Sequence, residues 1–146
     1  METGKCLDAA MIREQLRQFV IQTGIRPNEF WVGSGAALVL HGLREHTQDI
    51  DIGTGDERTF LKLCSKLELV PTYKQMEDRY LGGTFAISHP GLDIDIRVEY
   101  YTVRSELTLS GGVFIYTPEM LLKQKLAFNR PKDQQDILKL QQYLAR

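Results

Sequence analysis

Two aspartates flank an isoleucine at Asp49-Ile50-Asp51, and the arrangement returns at Asp93-Ile94-Asp95. Alternate residues of a strand project to one side, about 7 Å apart. Carboxylates that close raise each other's pKa unless a cation sits between them. Oxygen donors of this kind suit Mg²⁺, which takes one or two carboxylates together with substrate phosphates. If the two acidic strands lie side by side, Asp49, Asp51 and one or both of Asp93 and Asp95 converge. Such a cluster can hold two metals for in-line displacement at phosphorus. Either motif alone is explained by a solvated strand edge; both in one short chain favour the metal.

Upstream stands Gly33-Ser34-Gly35. Glycines before a helix let the backbone approach a phosphate, the serine hydroxyl adds a donor, and the helix start offers unpaired N–H groups. A plain strand-to-helix turn is the competing reading, because neither phosphate-loop fingerprint is present: no G-x-x-x-x-G-K-[ST] occurs, and Leu38 holds the third position of G-x-G-x-x-G. A calcium loop counted from Asp49 fails too, with Thr54 where glycine is needed and Phe60 where the bidentate glutamate belongs.

The elements that must position these residues follow from periodicity. Asp8 caps a helix to about Thr23, with Ile12, Leu16, Phe19 and Val20 on its apolar face, ended by Gly24 and Pro27. "EFWV" reads as a buried strand, "GSG" as a turn, and "AALVLHG" as a short helix closed by Gly42. "QDIDIG" alternates, so it is a strand. A helix restarts near Asp56 with Phe60, Leu63, Cys64 and Leu67 inward. "PTYKQME" and "RYLGGTFAIS" are strands around a turn at Glu77 to Arg79. "LDIDIRVEYY" sets Leu92, Ile94, Ile96 and Val98 against Asp93, Asp95 and Arg97. After the strand "GGVFIYTP", Thr117-Pro118 opens a helix, "RPKD" breaks it, and Asp133 caps a last one. The fold class is α/β of the α+β type, a mixed β-sheet backed by helices.

At 146 residues the chain fits one domain, residues 1–146, with C-terminal helices from about 118. A net charge of -1 gives no global argument for nucleic acid or an anionic membrane. Cys6 and Cys64 lack a C-x-x-C pattern and read as free thiols of a reducing compartment. No secretory signal and no run of about 20 apolar residues is seen, so the expected location is cytoplasmic, without membrane contact.

The order of strand, Gly-Ser, helix, D-x-D and later acidic strand resembles the nucleotidyltransferase fold of the DNA polymerase β-like superfamily. Within it, "GSGAALVLHGLREHTQDIDI" looks like the AbiEii-like branch of small bacterial proteins, with its His-Gly, arginine and Thr-x-Asp-x-Asp. "TPEMLLKQKLAFNRPKDQQDILKL" is similar to the end of those proteins, a helix with lysine and alanine before Arg-x-Lys-Asp. Ala37 stands where the minimal nucleotidyltransferases carry arginine, which again favours the AbiEii-like branch.

The resemblance implies transfer of a nucleoside monophosphate from an NTP to a hydroxyl. Asp49 and Asp51 would hold two Mg²⁺ ions, and Asp95, ranked just ahead of Asp93, would complete the site and help deprotonate the acceptor. Gly33, Ser34 and Gly35 would cradle phosphates. Lys125 and, less strongly, Arg44 and Lys132 are further phosphate contacts. Asp133 and Asp136 read instead as a helix cap and a first-turn dipole partner. His41, Phe30 and Trp31 read as packing residues, and packing is favoured over base stacking for Tyr80, Tyr100 and Tyr101. The acceptor is open between tRNA, protein and a small molecule, with a homodimer and a toxin or antitoxin partner as expectations. The alternative function is a non-catalytic binding or regulatory module, such as one component of a toxin–antitoxin pair.

Overall fold

A computed structural model describes residues 6–75 and 83–146. Helix α1 spans Ala9–Thr23; the Asp8 carboxylate accepts from the Met11 amide at 2.9 Å, and the helix ends at Gly24. Its buried residues are Ile12, Leu16 and Phe19, and the Phe19 ring meets Phe30 edge-on at 5.4 Å. Side chains of this size each contribute about 1.5–3 kcal/mol when fully buried.

The elements that follow are β1 (Phe30–Gly33), α2 (Ser34–Leu40), β2 (Ile50–Thr54), α3 (Glu57–Leu67), β3 (Thr72–Gln75), β4 (Gly83–Ser88) and β5 (Ile94–Val98). Then come β6 (Leu107–Ser110), β7 (Val113–Tyr116), α4 (Pro118–Phe128) and α5 (Gln134–Leu144). Among the described residues seven strands form one sheet in the order β3-β4-β5-β2-β1-β7-β6. The β2–β5 and β1–β7 pairs are parallel and the others antiparallel, so the sheet is mixed, as the alternation of elements implies.

The period of two divides the central strands cleanly. Phe30, Val32, Ile50, Ile52, Ile94, Ile96 and Val98 are buried in the core with α1 and α3. Cross-strand partners share a face, so Gly33, Asp51, Asp95 and Ser88 form one row across the opposite face. Trp31, Gly53, Arg97 and Ala86 form the next.

Three details depart from expectation. Helix α2 begins at Ser34 itself, with no three-residue turn before it. Strand β6 is an addition: its residues alternate weakly, and it forms by pairing with β7 through a tight turn at Gly111-Gly112, both at positive φ. Leu67 of α3 points inward as expected, half-buried and packed against the core that holds Phe60, Leu63 and Cys64. The Asp133 side chain makes no cap bond to α5; it accepts the Arg130 amide at 3.1 Å, closing the 3-10 turn Pro131–Asp133 instead. The turn expected at Glu77 to Arg79 and Tyr80 lie outside the described residues.

Candidate functional site

The parallel register of β2 and β5 sets Asp51 beside Asp95, and Asp49 lies immediately before β2. Asp49, Asp51 and Asp95 each bring one carboxylate oxygen within 4.8 Å of the others. Asp93 does not join that cluster. It precedes β5, and Gln15 of α1 grips it twice: the Gln15 amide donates to its carboxylate at 2.7 Å and accepts its backbone N–H at 2.7 Å. The third carboxylate of the cluster is therefore Asp95, whose Oδ1 also accepts from the Ser88 hydroxyl at 2.6 Å.

Electrostatics mark Asp51 as the strained member. Burial pushes its carboxyl up, the Arg97 charge pulls it down, and Asp49, Asp95 and Glu99 push it up again, leaving it at about 6. A carboxylate that reluctant to ionise gains most from a cation. Three hard oxygen donors at this spacing match the preference of Mg²⁺ for carboxylates.

The segment before β2 shows how Asp49 is aimed. Thr47 is buried and its backbone pairs with Leu7 in both directions, at 2.8 and 3.0 Å. Its hydroxyl donates to the Asp49 carbonyl at 3.3 Å. Against it packs Gly35, where a Cβ would stand 2.5 Å from the Thr47 hydroxyl and 3.0 Å from Arg44 Nη1. Ser34 beside it holds φ at 53°, a left-handed conformation costly for a residue with a side chain and concentrated at functional sites.

Ser34, Gly35, Thr47, Asp49 and Asp51 line one cleft of about 420 Å³. Asp49 and Asp51 form its acidic side, Ser34 and Gly35 another, and Arg44, Lys125, Arg130 and Lys132 contribute cations. Lys125 is 7% exposed, with its ammonium 3.2 Å from Asp133 and 3.5 Å from Asp136. Arg44 lies 3.6 Å from Asp136, and Arg130 Nε donates to Asp133 at 2.8 Å. Burial pushes the Asp133 carboxyl up, but the Arg130 hydrogen bonds and Lys125 outweigh that and hold it at about 2. Asp136 is a first-turn residue of α5, as expected, and also a partner of Arg44 and Lys125. Among the described residues, two other hollows, of about 660 Å³ between α1 and α3 and about 450 Å³ beside β3 and β4, bring no three acidic groups together.

Phe30 and Trp31 are core residues, and His41 Nε2 lies 2.8 Å from the Tyr116 carbonyl, a packing role. Tyr100 is exposed and donates to Glu57 at 2.8 Å, and Tyr101 is also exposed. Sequence reasoning missed Glu99, Ser88 and Gln15. For Glu99 a signal was available: the alternation Asp93, Asp95, Arg97 runs on to it, so it belongs to the same face.

Comparison with protein-family models returns no match, and neither does comparison with curated protein sequences. Solved structures do match. The Megavirus polyadenylate synthase superposes with a TM-score of 0.57 at 17% identity, over 90% of this chain and 31% of the synthase. JHP933 from Helicobacter pylori does so at 0.50 and 16% identity, over 88% of this chain and 64% of its own. The chain thus spans about a third of one neighbour and just under two thirds of the other. It has the nucleotidyltransferase fold.

Proposed function

We propose that the chain is a Mg²⁺-dependent nucleotidyltransferase of the AbiEii-like kind, acting as one unit over residues 1–146 in the cytoplasm. It would move a nucleoside monophosphate from an NTP to a hydroxyl on RNA, protein or a small molecule. The observation that carries this reading is the convergence of Asp49, Asp51 and Asp95, the first two of which line a cleft that Arg44, Lys125, Arg130 and Lys132 also line.

In this reading Asp49 and Asp51 hold the metal and Asp95 completes the set. Bound there, Mg²⁺ supplies charge stabilisation for the attacking and leaving oxygens. The chain's own groups do the rest. Asp95, steadied by Ser88, accepts the proton of the acceptor hydroxyl. The Ser34 hydroxyl and the backbone at Gly33 to Gly35 hold the β- and γ-phosphates, and Gly35 packs too close to Thr47 and Arg44 to carry a side chain. Lys125 and Arg44 add positive potential where pyrophosphate departs. A second copy of the chain would supply acceptor contacts, and a toxin–antitoxin or defence role is consistent with the AbiEii-like pattern.

One observation favours a non-catalytic binding or regulatory module: Asp133 and Asp136 already neutralise part of the cationic side. A single experiment decides. The protein is incubated with each labelled NTP, Mg²⁺ and cell extract, with Asp49→Ala in parallel. Label transferred by the wild type and not by the variant supports the enzyme. Nucleotide binding without transfer supports the module, and transfer that survives Asp49→Ala sinks the metal assignment.

A further inference from the structure

Glu99 is 3% exposed and carries a carboxylate that the mechanism above does not use. Its backbone N–H donates to the Thr54 carbonyl at 2.7 Å, extending the β2–β5 ladder by one step and turning its side chain onto the face that bears Asp51 and Asp95. From there it reaches back across β2. Oε1 accepts from Trp31 Nε1 at 2.6 Å and from the Tyr116 hydroxyl at 2.9 Å, and Oε2 accepts from Arg97 Nε at 2.8 Å. The crossing requires Gly53, where a Cβ would collide with the Glu99 carboxylate and with Trp31. Tyr116 in turn lies against Gly33, at 3.0 Å from where a Cβ would stand.

A buried carboxylate with three donors from three strands is costly to desolvate, and its bonds repay that only if all are kept. What they hold is an arginine one step along β5 from Asp95 and beside the glycine that follows Asp51 and Ile52. An unheld guanidinium at that place would close on the nearest carboxylates, and those are the cation ligands.

We propose that Glu99 is a positioning residue that clamps the Arg97 guanidinium away from Asp51 and Asp95, so that these carboxylates stay open to a divalent cation. The clamp rests on the metal reading of the cluster. Arg97 remains near enough to lower the cost of gathering three acids, and it is kept from replacing the ion. Through Tyr116 the same carboxylate also braces the floor beneath Gly33.

The test is Mn²⁺ binding without nucleotide, followed by the electron paramagnetic resonance signal of free Mn²⁺. Glu99→Gln keeps the side chain's shape and releases Arg97; it is expected to weaken Mn²⁺ about tenfold, the size of one charge-assisted contact. The same substitution in an Arg97→Gln background is expected to change binding less than about twofold, because nothing is left to release. Arg97→Lys, which keeps the charge and loses the planar fork, is expected to weaken binding like Glu99→Gln, and it tests the clamp with Glu99 in place. Equal losses in both backgrounds would assign Glu99 only its own charge and overturn the clamp, as would unchanged binding in Glu99→Gln and Arg97→Lys. Wild-type protein that binds no Mn²⁺ overturns the metal reading and the clamp with it.

Discussion

Asp51→Asn is expected to stabilise the metal-free protein while removing metal binding. The Asp51 carboxyl stands at about 6 in the folded chain against an ordinary 3.8. Between those values the folded state holds a proton that the unfolded state has lost, so stability falls as pH rises through the window and stays reduced above it. Two units correspond to about 3 kcal/mol, which partial exposure to water reduces to about 1–2 kcal/mol. For 146 residues the unfolding entropy is about 0.3 kcal/mol per degree, so the gain is about 3–6 °C in Tm. The assay is thermal unfolding in EDTA at pH 7.5 and pH 4. Asparagine mimics the protonated acid, so most of the gain should be gone at pH 4. Adding Mg²⁺ at pH 7.5 should raise the wild-type Tm and leave the variant's unchanged. A variant no more stable than wild type at pH 7.5, or equally stabilised at both pH values, would refute the reasoning.

Gly35→Ala drives a methyl into the Thr47 hydroxyl; it should cost about 1–3 kcal/mol and abolish transfer, read by unfolding and by the labelled-NTP assay. Asp133→Asn leaves Lys125 and Arg130 without their shared charge and should cost about 3–5 kcal/mol by denaturant unfolding. The Asp133 carboxyl sits at about 2, so its stabilisation is present above pH 4 and lost as pH falls towards 2; the variant should show a flatter acid limb. Lys125→Met keeps the packing and removes the charge; calorimetry should show ATP affinity falling about tenfold, the size of one charge-assisted contact.

The shared face of the acids on each strand was legible because a period of two is encoded in residue order, whereas the pairing of β2 with β5 was a condition the sequence left open. The choice between Asp93 and Asp95 was legible only as a narrow preference for Asp95, because it turns on the β2–β5 register and on Gln15, 78 residues upstream, gripping Asp93. Thr47 had no chemistry in the sequence; its role comes from a bridge to Leu7, a contact between the segments before α1 and β2. Strand β6 was missed because its residues are mostly half-buried and its pairing, more than its pattern, makes it a strand. Asp133 was expected at a helix start and is found there, but the stronger competitors for its carboxylate, Arg130 and Lys125, come from tertiary packing.

Two carboxylates facing one cleft are pushed in opposite directions by what surrounds them. Asp133 receives its cations from the chain itself and ionises more readily than an ordinary aspartate. Asp51 has acidic neighbours on either side, and the nearby Arg97 is bonded to Glu99, so it ionises less readily. Arg130 and Lys125 are bound to Asp133, and Asp49, Asp51 and Asp95 each bring one carboxylate oxygen within 4.8 Å of the others. The repulsion is the part of the structure that a divalent ion would relieve, which is why adding Mg²⁺ should erase the stability advantage of Asp51→Asn.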